Sequence, residues 1–342
     1  MIDAYADKNT YDIIFNNFRQ AKTVLKRVRS HYIKDINELI NREEASNTIL
    51  TDNSEYIIKP SDTNNGIGIN KLRIEKNSMM LGNNKVILED LENKYGHNFL
   101  IQEVIKQHSV MSKPHPSSVN TLRMVTLRWE QEIINIYTFA RFGVNNDVKD
   151  NAGSGGLSVG VQKSGKFMDY GIQDNQKVLT HPTTNMKISD FGMIPNYDTF
   201  LTFAKDLHKE IIHHDYISWD IAVGEDGQPI LVEANFFGSC FLNQIALASP
   251  TFHDLTTEIL QDASKSKTLL KKKNIKTRAT NKLNRSIQSL KKENRSYSKS
   301  HKSLNYKIKA LNQSQSTLKK EIQRIKSSRS WRYTRVLRRK KK

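Results

Sequence analysis

The chain has 342 residues, with 54 Lys and Arg against 35 Asp and Glu and a formal net charge of +19. That average hides a division: residues 264–342 hold 28 basic residues and 2 acidic ones, a net +26, whereas residues 1–263 hold 26 basic and 33 acidic, a net −7. All 15 Gly and all 7 Pro precede Phe252, so a faintly acidic body, long enough to bury a core, carries a basic tail without helix breakers. The single cysteine, Cys240, excludes a disulfide scaffold and fits a reducing compartment. No apolar run approaches the roughly 18 residues of a membrane span, and the N-terminus lacks a signal-peptide pattern. A cytoplasmic protein is expected, held at a surface only if its tail holds it there.

Residues 1–50 are polar, with helical spacing in patches such as Ile13, Ile14 and Phe18, or Val24, Leu25 and Val28; they read as a short helical N-terminal segment, with no strong strand before residue 56. Tyr56-Ile57-Ile58-Lys59 reads as a strand, and Pro60 opens a turn-rich loop that includes Gly66 and Gly68. Phe99 to Ile105 is a second strand. Thr121 to Trp129 and Ile133 to Phe142 flank the polar turn Glu130-Gln131-Glu132 as a hairpin. A Gly-rich loop, Asp150 to Gly156, follows. Tyr197 to His213 has helical periodicity, and Ile217 to Val223 with Ile230 to Asn235 form another hairpin. Helices alternating with antiparallel pairs predict an α+β body over residues 51–263.

The tail, residues 264–342, has the cleanest period. Alternate steps of four and three from Leu283 meet Ile287, Leu290, Asn294, Tyr297, His301, Leu304, Ile308, Leu311, Gln315, Leu318, Ile322 and Ile325, the a/d seam of a coiled coil. Because nearly every flanking charge is positive, two parallel copies are expected to repel unless anions intervene. A single solvated helix and a homo-oligomer both remain open.

Three constellations carry chemistry. If Asp220 pairs with Glu233 across the last hairpin, the same register pairs Ile221 with Val232 and Val223 with Ile230. The opposite face then holds Asp220, Glu233 and Asn235. Opposed carboxylates about 5 Å apart are unfavourable unless a cation bridges them or one takes a proton, and three hard oxygen ligands suit Mg2+. Lys59, leaving its strand beside a loop with Gly66 and Gly68, can bring a cation and backbone N–H groups to phosphate; a plain strand-to-turn junction is the alternative. Arg123 and Arg141 share parity on the two arms of one hairpin and call for an anion. Asn151 and the glycines that follow, Gly155 and Gly156, permit close backbone approach to a ligand. His213-His214-Asp215 has no partner at zinc spacing, and there is no nucleophile elbow.

Taken in order, these pieces resemble the ATP-grasp superfamily, and within it the branch associated with sugar transfer and surface polysaccharide synthesis. The stretches that carry the likeness are Tyr56 to Pro60, Ile101 to Ile105 with Gln107-His108, Ser118 to Thr126, Asp150 to Gly156, His181-Pro182, Ile194-Pro195, Tyr216 to Ala222 and Leu231 to Asn235. The resemblance implies ATP between two α+β subdomains. Lys59 would contact phosphates under the loop that ends at Gly68, and Gln102, Glu103 and Val104 would form the hinge strand at adenine. Asp220, Glu233 and Asn235 would bind Mg2+, with Arg141 and Asn151 facing the phosphoryl group or the acceptor. It further implies a carboxylate-amine ligase working through an acyl phosphate. Phosphotransfer to a small acceptor and a degenerate scaffold acting through its tail are the alternatives. Ser218 stands two residues before Asp220, where many peptide-forming ligases place Arg.

The chain's final stretch, Ser328 to Arg338, resembles the terminal segment of many bacterial glycosyltransferases that build surface glycans, with Val336 where they have Pro. Aromatic residues interleaved with arginines there suit an anionic membrane surface or a glycosyltransferase more than nucleic acid.

Overall fold

The computed structural model describes residues 5–35, 37–50, 54–63, 66–145, 155–238 and 241–328. The chain divides into two compact units, Met1–Thr257 and Glu258–Lys342.

The first unit is built on two antiparallel sheets. One contains β1 (Thr23–Val28), β2 (His31–Lys34), β3 (Glu38–Ile40), β4 (Glu55–Pro60), β5 (Asn70–Glu75), β6 (Ser78–Leu81), β7 (Asn84–Val86) and β8 (Phe99–Glu103), in the order β3-β2-β1-β8-β4-β5-β6-β7. The other contains β9 (Thr121–Trp129), β10 (Glu132–Phe142), β11 (Leu157–Val161), β12 (Phe167–Gln173), β13 (Gln176–Val178), β14 (Tyr216–Val223) and β15 (Pro229–Asn235), in the order β13-β12-β11-β10-β9-β14-β15. The short helices α1 (Tyr11–Ile14) and α4 (Ser109–Ser112) sit in connections, and α2 (Arg42–Ile49) and α3 (Leu88–Tyr95) accompany the first sheet. The helix α5 (Tyr197–Lys209) buries Phe200, Ala204 and Leu207 against the second sheet, the stripe its period predicts, and a short helix α6 (Phe241–Leu247) follows β15. Each sheet has its own apolar core.

The helical reading of residues 1–50 does not hold. Tyr11 and Phe15 are buried in the second sheet's core, with Phe15 edge-on to Trp219 at 5.8 Å between centroids. The chain then crosses to the first sheet and supplies β1, β2 and β3. Val24, Leu25 and Val28 all lie on β1. This strand is paired on both edges, by β2 and β8, and buries Lys26 against Asp12 at 2.5 Å. A lysine in place of an apolar residue on a doubly covered strand erases the alternation from which strands are read.

The second unit consists, among the described residues, of the helix α7 (Thr256–Ser327), which begins in the first unit's last residues and runs for 72 residues. The division falls at Thr257, a little before the expected residue 264.

Candidate functional site

The site grows from one row of the second sheet. Asp220 on β14 lies directly opposite Arg123 on β9 and directly opposite Glu233 on β15. The expected Asp220–Glu233 pair is therefore formed, but the remainder of the expected register is not. A bulge after Asp220 makes Val232 an extra residue, so that Ile221 pairs with Leu231, Ala222 with Ile230 and Val223 with Pro229. The bulge has a purpose in packing. It moves Leu231 onto the same face as Ala234, where both are buried in the core, while Glu233 and Asn235 stay on the face of Asp220.

Asp220 is 3 % exposed and is surrounded by donors. Arg123 donates from Nε to Oδ1 at 2.5 Å and from Nη2 to Oδ2 at 2.8 Å. Arg141, whose place two residues beyond Phe139 puts it on the same face, donates from Nη1 to Oδ2 at 3.1 Å, and Asn235 Nδ2 donates to the same oxygen at 3.1 Å. Burial by itself would raise the carboxyl pKa, but the two guanidiniums outweigh it and hold the group below the usual carboxylate range.

Glu233 is held differently. Its Oε1 lies 3.0 Å from Lys8 Nζ, and the Lys8 side chain is only 6 % exposed. Lys8 also donates to the Thr63 carbonyl at 2.7 Å, and its backbone N–H donates to Ser61 O at 3.0 Å. Lys8 thus ties the loop after β4 to the carboxylate on β15. It is placed by Tyr11, whose hydroxyl accepts from Ala234 N at 2.9 Å. Sequence reasoning missed Lys8: nothing in its local pattern marks it, and only the anchoring of Tyr11 and Phe15 brings it to Glu233.

Lys59, near the end of β4, brings the first sheet to this group and is 7 % exposed. Burial, then repulsion from Lys8, lower its pKa to about 8, with Glu233 partly opposing the shift. Among the described residues no hydrogen-bond or ion-pair partner accepts from its Nζ. Beyond it, Gly66 and Gly68 have positive φ of 65° and 81°. A Cβ on Gly68 would lie 2.7 Å from Pro60 Cγ, so the loop can fold back on the strand end only with glycine there.

Gln102 and Glu103 end β8, which is paired with β1 and β4, and Val104 begins the connection toward the second sheet. The Gln102 side chain donates to Ala21 O and Thr23 Oγ1, and Glu103 pairs with Lys22 at the surface. Gly155 has φ 82° and its carbonyl accepts from Gln173; with Gly156 it leads into β11, whose Ser158 lies opposite Arg141. Asn151 lies outside the described residues, as do Cys240 and everything after Ser328. Ser218 is buried, and its Oγ would be 2.9 Å from a Cβ on Gly238. His214 is structural, its Nε2 within 2.9 Å of Phe236 O.

The donor set suits a hard divalent cation in type. Glu233 Oε2 and the Asn235 amide oxygen have no partner among the described residues, whereas Asp220 already accepts from Arg123, Arg141 and Asn235, which a cation there would have to share. With Lys59 protonated, four cations accompany two carboxylates, and the cluster has a surplus of two positive charges. An anion with several negative oxygens would offset that surplus.

A family model described as "Sugar-transfer associated ATP-grasp" matches residues 7–261. Among curated proteins no match was found. Similar solved structures include the biotin carboxylase domain of the 2-oxoglutarate carboxylase of Hydrogenobacter thermophilus, in complex with MgADP, ADP and bicarbonate. Its TM-score is 0.43 at 12 % identity, covering 73 % of this chain and 44 % of that one. The L-amino acid ligase of Bacillus licheniformis has a TM-score of 0.40 at 10 % identity, covering 75 % and 47 %. The D-alanine–D-alanine ligase of Bacillus anthracis has a TM-score of 0.39 at 12 % identity, covering 71 % and 60 %. This chain thus spans less than two thirds of the length of each.

Proposed function

The chain belongs to the sugar-transfer associated ATP-grasp family, and from that premise we propose that it is an ADP-forming ligase that uses Mg2+-ATP to join a small carboxylate to an amine. The observation that carries this reading is the cleft in which Lys8, Lys59, Arg123 and Arg141 outnumber Asp220 and Glu233. Lys59 is the cation best placed to take a phosphate, since burial has already removed its water. Lys8 would hold the phosphate loop closed while it positions Glu233. Glu233 and Asn235 would hold Mg2+, joined by Asp220 once one of its arginines turns to the substrate; when bound, the ion would draw charge from the phosphoryl oxygens. Adenine would lie at the β8 exit beside Gln102, Glu103 and Val104, and Asn151, Gly155 and Gly156 would approach the phosphates or the acceptor.

In this reading the carboxylate substrate attacks the terminal phosphorus, ADP leaves, and an acyl phosphate results; the amine then attacks the acyl carbon and phosphate departs. The side chains contribute placement and charge stabilisation and no protein nucleophile is needed. The test is a screen of uronic acids, amino acids and nucleotide sugars for ADP release, with hydroxylamine present. A hydroxamate formed with ADP supports the reading. AMP production, or a stable phosphorylated acceptor with no amine requirement, overturns it.

The setting we assign is surface-polysaccharide synthesis at the cytoplasmic face of a membrane, which the family description and the net +26 of residues 264–342 support. No helix among the described residues is long and apolar enough to cross a membrane. Co-sedimentation of the full chain with anionic but not neutral liposomes, lost as salt rises, is the expected result; equal sedimentation with both removes the assignment.

A further inference from the structure

The seam of α7 is open. Leu304, Ile308, Leu311, Leu318, Ile322 and Ile325 are each 50–68 % exposed, although all lie on one stripe of a continuous helix. In heptad terms Leu304, Leu311, Leu318 and Ile325 are d positions, and Ile308, Gln315 and Ile322 are a positions, with His301 at the a position one heptad earlier. We propose that this stripe receives a second copy of the same chain, as a parallel, in-register, two-stranded coiled coil.

Three features select that occupant. Ile at a with Leu at d is the combination whose side-chain shapes favour two parallel strands over three or four. The polar seam residues add orientation. In a parallel, in-register pair each Gln315 meets the other Gln315 and each His301 the other His301, so that polar groups face polar groups. An antiparallel overlap of the same segment sets Gln315 against Leu311 and His301 against Ile325, burying each without a partner. Charge is the third feature. Between parallel copies the g-to-e neighbours are Lys307 with Asn312, Ser314 with Lys319 and Glu321 with Lys326; none is like-charged and the last is attractive.

Lys309, Lys320 and Arg324 point away from the seam at b, f and c positions, beyond the roughly 8 Å over which charges act at physiological salt. The repulsion expected from the overall charge is therefore absent at the contact itself. A lipid surface fits this stretch less well, because the basic residues encircle the helix and do not border a broad apolar face. The inference is independent of the ligase reading and rests on the tail alone.

Sedimentation velocity of the full-length chain at micromolar concentration should give twice the monomer mass. Leu311→Asp combined with Leu318→Asp should return it to monomer while the thermal unfolding of the body is unchanged, since these side chains are exposed. Orientation is read from Gln315→Cys in a Cys240→Ser background: mild oxidation should yield a covalent dimer, because only the parallel register brings the two a positions together. A monomeric full-length chain overturns the proposal. A dimer that survives the double Asp substitution, or a dimer that does not cross-link, overturns it as well.

Discussion

Arg123 and Asp220 face each other across adjacent strands, and the guanidinium forks onto both carboxylate oxygens at 2.5 and 2.8 Å. The pair closes a four-strand row in which β10, β9, β14 and β15 each contribute to one charged face. Because the Asp220 side chain is only 5 % exposed, this fork is a condition of burying the carboxylate.

Arg123→Met should accordingly cost about 3 kcal/mol, the order found when one partner of a buried pair is removed. Arg123→Lys should recover only part of that, because an ammonium cannot fork. The arginines hold the Asp220 pKa below its unfolded value near 3.9. The stabilisation is thus complete above that value and lost as pH falls through the lower folded pKa. Urea unfolding at a series of pH values should show wild type and Arg123→Met converging in acid; a constant gap down to the lowest pH would refute the assignment.

Lys59 has the opposite sign. Its folded pKa of about 8 lies below the unfolded value near 10.4, so the unfolded chain binds the proton more tightly and stability rises as pH goes from 8 toward 10.4. Lys59→Met should lack that rise and be more stable than wild type at pH 7, by up to roughly 3 kcal/mol. It should also lose nucleotide binding. In wild type, phosphate would restore the proton, so affinity should fall as pH rises above 8. Calorimetry of nucleotide binding to wild type near pH 8 in two buffers of different ionisation heat should detect proton uptake; equal heats after correction would refute the assignment.

Glu233→Gln keeps the shape of the side chain but halves the carboxylate charge of the cleft. Turnover should fall by about two orders of magnitude or more, the scale of a lost electrostatic contact at a reacting centre, and the Mg2+ dependence of nucleotide binding should weaken. The melting temperature should fall, because the buried Lys8 loses its counter-ion and keeps only Thr63 O as an acceptor, so activity is compared at a temperature where the variant is folded. Full activity in folded Glu233→Gln protein would remove Glu233 from the site.

Gly68→Ala places a methyl 2.7 Å from Pro60 Cγ in a backbone with φ 81°. The loop must shift, at a cost of about 1–2 kcal/mol. Since β4 and Lys59 are held by the sheet, the expected change is a raised KM for ATP with kcat altered less. An unchanged KM would show that the loop does not contact the nucleotide.

The division of charge between residues 1–263 and 264–342 was legible in the sequence, because composition needs no tertiary context. So was the opposition of Asp220 and Glu233, since both fall on the polar face that the apolar alternation of the two arms leaves, although the pairs nearer the turn are shifted by one residue. Arg123 and Arg141 could be set on one face by parity alone. Other features were not local. Val232's bulge depends on which of Leu231 and Val232 the core takes, and only the packed sheet decides that. The strand β1 is hidden because its Lys26 is neutralised by Asp12, fourteen residues earlier in the chain. Lys8 reaches Glu233 across more than two hundred residues, carried there by the burial of Tyr11 and Phe15. Sequence determines which side chains can bear charge and with what period. The fold decides which of those charges meet, because the low-dielectric cleft that makes the meeting matter exists only once two distant segments have packed together.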